Sequence, residues 1–441
     1  MVIHSTERIK ASNVPEGSKF KGYIKCIRQE LQIRAVNTCY ELESWRTPKG
    51  TYQYAKLPDH LQGTDFGSTL KSYILYQYHH CHVTQPLLLE QLWELGISIS
   101  SGQLSRILTE GHERFHQEKE GLLTKAKQHS AYLQTDDTGA RHQGNNGYCT
   151  FIGNNLFSFF KSTGSKSRVN FLEILSGQPS YNFNDYAFGY IADKGLSPKY
   201  ITAIDTIKGQ SFTSTEKFLA NLKSLSVSQK YAVKTITEAG LLGHLIDRGM
   251  PVSMVILSDD AGQFNVMIHA LCWVHVERNL QKIRAYTKQQ RQELDLLLNA
   301  FWQLYQQLKT FKNKPTDKKK QQVIKSFDAI CNWQTKWLAL KKGLDKIKTY
   351  KPELLVVLQH PSVPLHNNQS ESDIREYVKK RKISGSTRSD NGRKARDTFA
   401  SLKKTCRKMN ISFWEFLNDR LTSTYKIKCL PDLLVEMTVS K

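Results

Sequence analysis

Twice in this chain an apolar, strand-like run ends in two adjacent aspartates, and that recurrence limits the possible folds more than any other feature. The first run is Ala131-Tyr132-Leu133-Gln134-Thr135, leading into Asp136-Asp137 and a polar turn with Gly139. The second is Met254-Val255-Ile256-Leu257-Ser258, leading into Asp259-Asp260. A third acid, Glu371, follows Asn367-Asn368-Gln369-Ser370 at the start of a predicted helix. More than a hundred residues separate each acid from the next, so only a shared sheet can gather them. Strand side chains alternate between faces. One of Asp136 and Asp137, and one of Asp259 and Asp260, therefore faces any common site, and the residues alone leave both choices open. Taken singly, each pair reads as ordinary strand-end or turn aspartate, and Glu371 as an i,i+4 partner of Arg375.

The flanking pattern sets the fold class. After the first acidic strand come β-like runs at 148–153 and 156–161, then a helix through Val169, Phe171, Leu172 and Ile174. Three strands and a helix, with the acid on the first strand, open a ribonuclease-H-like α/β fold. Helical stretches at 215–225 and 231–248 feed the second acidic strand, which fits βα alternation around one sheet. The expected layout is a β-rich region over 1–66, with strands at 17–27, 30–36 and 39–45, and a helical DNA-binding region over 67–128. The first part of the core spans 129–280, and a helical insertion spans 281–360. Core completion with basic helices occupies 361–441. The insertion carries Leu294, Leu297, Phe301, Leu304 and Leu308 at helical spacing.

Charge narrows the partner. Lys+Arg 63 against Asp+Glu 40 leaves a net charge of +23, which suits a polyanion. No apolar run approaches the roughly 20 residues of a membrane span, and the N-terminus lacks an apolar secretory core. The expected compartment is the cytoplasm, with no membrane partner. The eight cysteines are scattered without Cys-x-x-Cys spacing and read as reduced thiols. Pro86 and Gly96 bracket one helix, and Ser100 or Ser101 caps a second, which makes a helix-turn-helix pattern. Its second helix would offer Gln103, Ser105 and Arg106 to a DNA groove, whereas the plainer alternative is a short helical hairpin. His79-His80-Cys81-His82 invites a metal reading, but neighbours on one helix diverge, so packing histidines are expected. The stretch from Arg375 to Lys408 holds thirteen lysines and arginines against three acids. Such a tract beside clustered carboxylates suits a phosphodiester backbone.

Three carboxylates from two strand ends and a helix can hold two hard divalent ions, one aspartate bridging both. In order along the chain, three stretches resemble the motifs of the DDE transposases of bacterial insertion-sequence family 66 (TnpC type). They are Asp136-Asp137-Thr138; Asp259 with Phe264 and Cys272-Trp273-Val274-His275-Val276-Glu277-Arg278; and Asn367-Asn368-Gln369-Ser370-Glu371 with Arg375 and Arg381-Lys382. Ser401-Leu402-Lys403-Lys404-Thr405-Cys406 also fits, and the resemblance runs from about residue 67 to 420. It implies that Asp136, Asp259 and Glu371 are the catalytic and metal-binding triad, holding two Mg²⁺ with Mn²⁺ as a substitute. It implies cleavage and strand transfer on double-stranded DNA, at element ends and target. A dimer or larger assembly on DNA, accessory proteins and a bacterial, nucleoid-associated location are implied as well. Arg278, Asn367, Arg375, Arg381 and Lys382 become the expected contacts to phosphate or around the carboxylates, and Cys272 and His275 structural members of their signature. The chain departs from the family in lacking an N-terminal cysteine cluster, in Asp-Asp-Thr for Asp-Glu-Thr, and in a long segment before Asp259. A decayed DNA-binding regulator and a stand-alone nuclease are the competing expectations.

Overall fold

Strand pairing starts late in this chain. A computed structural model describes residues 2–58 and 65–439; Met1, 59–64 and 440–441, parts of the expected first and last regions, lie outside the described residues. Residues 2–58 run mostly extended and exposed. Only β1 (Ser44–Arg46) and β2 (Tyr52–Tyr54) pair, as a short antiparallel hairpin. The strands expected at 17–27 and 30–36 are not formed, and of 39–45 only Ser44 and Trp45 enter a ladder. Apolar residues there, such as Phe20, Ile24 and Leu31, are exposed. A strand is held by its neighbour and by a buried face, and these runs have neither.

Four helices follow: α1 (Ser68–Leu75), α2 (Gln85–Glu94), α3 (Ser101–Thr109) and α4 (Glu113–His129). A π-helical turn, Tyr76–His80, continues α1. The predicted boundaries of α2 and α3 have the expected causes. Pro86 sits in the first turn of α2, Gly96 takes φ +77 beyond its end, and Ser100 caps α3 in a capping box with Gln103.

The chain then lays down β3 (Tyr132–Gly139), β4 (Tyr148–Gly153), β5 (Ser158–Thr163) and α5 (Arg168–Ser176). A mostly helical stretch follows: β6 (Tyr181–Asn182), α6 (Asp185–Asp193), α7 (Pro198–Asp205), β7 (Ser211–Phe212), α8 (Thr215–Ser224) and α9 (Lys230–Asp247). Strands β8 (Val255–Ser258) and β9 (Ile268–Leu271) lead to α10 (Trp273–Gln281). Helices α11 (Lys288–Asn313), α12 (Asp317–Cys331), α13 (Leu338–Thr349) and α14 (Lys351–Leu354) come next. The chain closes with α15 (Asn368–Ser384), α16 (Asp390–Lys408), α17 (Phe413–Leu421) and α18 (Leu430–Val439).

The central sheet is five-stranded and mixed, in the order β5-β4-β3-β8-β9. The pairs β3–β4 and β4–β5 are antiparallel; β3–β8 and β8–β9 are parallel. Leu133, Ile152, Phe159 and Ile256 pack on one side with Phe171, Leu172 and Ile236 of α5 and α9. Cys149, Phe151 and Phe160 pack on the other side with Ile374 and Tyr377 of α15. Helices α11 to α13 form a separate core around Trp273 with Leu297, Phe301, Phe327 and Leu344. Trp273 fixes that core to the chain ahead of α15, its indole N–H donating to the Leu354 carbonyl at 3.0 Å. Among the described residues no helix is long and apolar enough to cross a membrane.

Candidate active site

Parallel pairing sets Tyr132 opposite Val255, Leu133 opposite Ile256 and Gln134 opposite Leu257. Asp136 follows two residues further along β3 and Asp259 lies just past the end of β8, close enough for its charge to act on Asp136. Alternation puts Asp136 on the face of Tyr132 and Gln134, and continuing β8 by one residue puts Asp259 on the face of Val255 and Leu257. These are the same face of the sheet, since Tyr132, Val255 and Leu257 share one apolar cluster. The neighbouring aspartates are engaged elsewhere. Asp137 Oδ2 accepts from Gln263 Nε2 at 2.7 Å. Asp260 Oδ2 accepts from Lys346 Nζ at 2.7 Å, and that hydrogen bond holds its carboxyl below the usual range. Among the described residues, Asp136 and Asp259 have only backbone donors, the N–H groups of Asp137 and Ala261.

Helix α15 lies across this face. Ser370 Oγ donates to Gln134 Oε1 at 3.2 Å, and Asn367 Nδ2 donates to the Thr135 carbonyl at 2.9 Å. These two bonds fasten the first turn of the helix beside the acidic strand end, and Glu371 rises from that turn. Its Oε1 lies 2.9 Å from an Arg278 guanidinium nitrogen and 3.5 Å from His275 Nε2, and its Oε2 lies 3.6 Å from Arg375. Residues His275 and Arg278 stand three apart on α10, on one helix face. Cys272, just ahead, is buried and accepts the Asn367 backbone N–H on its sulfur at 3.2 Å. The Cys-Trp-x-His-x-x-Arg stretch therefore builds the wall that seats and flanks Glu371.

Electrostatics register the convergence. Burial pushes the Asp136 carboxyl up to about 7; its hydrogen bond from the Asp137 N–H opposes this, and Asp259, Asp137 and Glu371 push further upward. Oxygen donors whose charges repel one another suit a hard divalent cation in chemistry. As they stand, no three His, Cys, Asp or Glu side chains among the described residues are grouped as a metal site, and Glu371 is turned toward Arg278 and His275.

The remaining expected residues divide by exposure. Arg106, Arg278, Arg375 and Lys382 are exposed. Arg381 donates to the Gly139 carbonyl and, at 3.3 Å, to Thr138 Oγ1, so it braces the end of β3. Asn367 is 1% exposed, and its latch to β3 takes it out of reach of phosphate. Gln103 is half-buried, and its Oε1 accepts the Ser100 N–H in the cap of α3 at 2.9 Å, a bond that engages only its carbonyl oxygen. In the histidine run, His79 packs against Phe399, His80 stacks on Tyr76, and His82 lies 3.0 Å from Glu376. Reading the sequence missed Gln134, Ser370 and Gln263 as positioning residues. The one available signal was Ser370, three residues after Asn367 on the same helix face.

A family model described as "Transposase IS66 family" matches residues 247–395, which include Asp259, Arg278 and Glu371. An uncharacterized protein, y4jO, of Sinorhizobium fredii (strain NBRC 101917 / NGR234) is 42% identical over 293 residues. That alignment covers 66% of this chain and 91% of the relative.

Proposed function

Because this chain belongs to the IS66 transposase family, we propose that it cuts and joins DNA at insertion-sequence ends with Asp136, Asp259 and Glu371 as ligands of Mg²⁺. The observation that carries the proposal is the β3–β8 register, which brings Asp136 and Asp259 near each other on the face that α15 crosses. We read the five-stranded order, antiparallel on one side of β3 and parallel on the other, as a ribonuclease-H-like core. The divalent ions would supply an activated water, then an activated 3′-hydroxyl, and stabilise the leaving oxygen.

The chain's own residues do the rest. Asn367 and Ser370 position the helix that carries Glu371, and Arg278 neutralises Glu371 until the site is filled. The exposed Arg375 and Lys382, with Arg278, are placed to contact the phosphates flanking the scissile bond. Helices α2 and α3 form the second DNA contact through Arg106. Two DNA ends must be held together, so a dimer or larger assembly on DNA follows, with accessory proteins assisting.

The test is cleavage of labelled DNA carrying the ends that flank the gene, in Mg²⁺, Mn²⁺ and EDTA, with wild type and Glu371→Gln. Support would be metal-dependent nicking and strand transfer by wild type, lost in Glu371→Gln while DNA binding is kept. Binding without cleavage by wild type in either metal, also when the proteins encoded beside the gene are added, would sink the catalytic reading and identify a DNA-binding regulator. Nicking without strand transfer would identify a nuclease.

A further inference from the structure

Behind the glutamate helix lies a second polar centre that this chemistry does not use. The turn Tyr76–His80 and its continuation to His82 pack against α15 and α16 around a cavity of about 20 Å³. Four basic residues line it, Lys380, Arg396, Lys403 and Lys404, all buried. Glu376 is the carboxylate in that lining, and it is already shared, with His82 at 3.0 Å, Lys403 at 2.8 Å and Lys404 at 4.0 Å. Lys380 has no carboxylate partner among the described residues. Its amine donates to the Tyr78 carbonyl at 2.7 Å and sits 3.4 Å over the Tyr78 ring. Arg396 also has no ion pair among them and donates to the Gly385 carbonyl at 2.9 Å. His79 lines the same cavity, is 6% exposed, and its Nε2 has no hydrogen-bond partner.

Lys404 is also held by Asp373 at 3.4 Å, so the charges left over around this small pocket are those of Lys380 and Arg396, and burying them without a counter-charge is costly. Burial, then Arg396 and Lys403, draw the Lys380 amine down to about 7, which is the response of an amine lacking an anion. A water would satisfy His79 but leave the charge excess in place. The cavity has room for about one water-sized particle, so phosphate and sulfate do not fit, whereas a halide does.

We propose that this cavity binds a monoatomic anion, chloride in the cell, held by Lys380, Arg396 and Lys403 with His79 Nε2–H donating to it. An ion there joins three elements: the end of the α1 segment, the helix that bears Glu371, and α16. It therefore couples the N-terminal helical region to the acidic site. The inference does not depend on the proposed chemistry.

The experiment uses the full chain and bromide as the probe. Crystals soaked in sodium bromide are expected to give an anomalous peak in the cavity, beside Lys380 and His79. In solution, sodium chloride should raise the thermal midpoint above that in sodium gluconate at equal ionic strength, saturably and by roughly 2–4 °C. Lys380→Met, which keeps the bulk and removes the charge, should abolish that increment. A wild-type cavity without a bromide peak overturns the proposal in favour of water, whether or not the variant folds. Equal chloride increments in wild type and Lys380→Met overturn it as well.

Discussion

Adjacent aspartates on one strand have opposite surroundings here, and their substitutions should separate accordingly. Asp136 faces Asp259 and the helix of Glu371; Asp137 faces away and is held by Gln263. Asp136→Asn is expected to lower DNA cleavage about a thousandfold or more, because it removes a ligand of the proposed metal site. Asp137→Asn can still accept the Gln263 hydrogen bond and should stay within about tenfold of wild type. Equal losses in single-turnover cleavage by the two variants would refute the assignment by face. His112 makes a residue-scale prediction about stability instead. It is buried between Phe115 and Phe399, and burial lowers its pKa to about 4 against the opposing pull of the Leu108 and Ile107 backbone. In the unfolded chain the ring takes up a proton near pH 6.5. The native state refuses that proton, so this group costs stability as pH falls from about 6.5 toward 4. His112→Leu removes that penalty. The midpoint of His112→Leu minus that of wild type should therefore rise steadily between pH 7 and pH 4.5, and a flat difference would exclude the buried neutral histidine.

At the scale of elements, what could be read in the sequence depended on whether a signal was local. The acid-tipped strands β3 and β8 were legible because an apolar run ending in aspartate fixes both burial and direction. Helices α2 and α3 were legible because Pro86, Gly96 and Ser100 set their ends by local rules. The runs at 17–27 and 30–36 looked equally strand-like and failed, since no sequence pattern reports whether a partner strand lies alongside. The same limit hid the choice within each aspartate pair, which depends on what crosses each face of the sheet. It also hid the role of Gln103, whose side chain closes the cap of its own helix. Helix α9 shows how packing overrides propensity. It carries Gly240 and Gly243 in mid-helix, where glycine costs about 1 kcal/mol relative to alanine. A Cβ at Gly243 would stand 2.1 Å from the Asn182 carbonyl oxygen, and one at Gly240 2.9 Å from Tyr181 Cβ. Strand β6 crosses the helix at these two glycines. Gly243→Ala is therefore expected to destabilise by roughly 1–3 kcal/mol despite its better helix propensity. A urea midpoint at or above wild type would show that β6 does not press on the helix.

Across the whole molecule, a net charge of +23 must be reconciled with a site that gathers negative charge. Acids converge at the ends of β3 and β8, and the exposed cations proposed to meet phosphate lie in two regions, Arg106 on α3 and, on α15, Lys382 with Arg375, the latter 3.6 Å from Glu371. A duplex can lie along both only if each phosphate contact displaces counter-ions, which makes affinity fall steeply with salt. If about six to ten phosphates are engaged, affinity for an end-bearing duplex should drop roughly 10³- to 10⁵-fold between 50 and 200 mM salt. The two places then differ in a measurable way. Arg375→Ala removes a phosphate contact, so it should shift binding evenly across DNA sequences and reduce the salt slope by about 1. Arg106→Ala should weaken binding to the end sequence more than to random duplex, because α3 is the proposed reader of the groove. Identical losses on end and random DNA for Arg106→Ala would confine α3 to backbone contact, and sequence reading would then belong to another part of the chain.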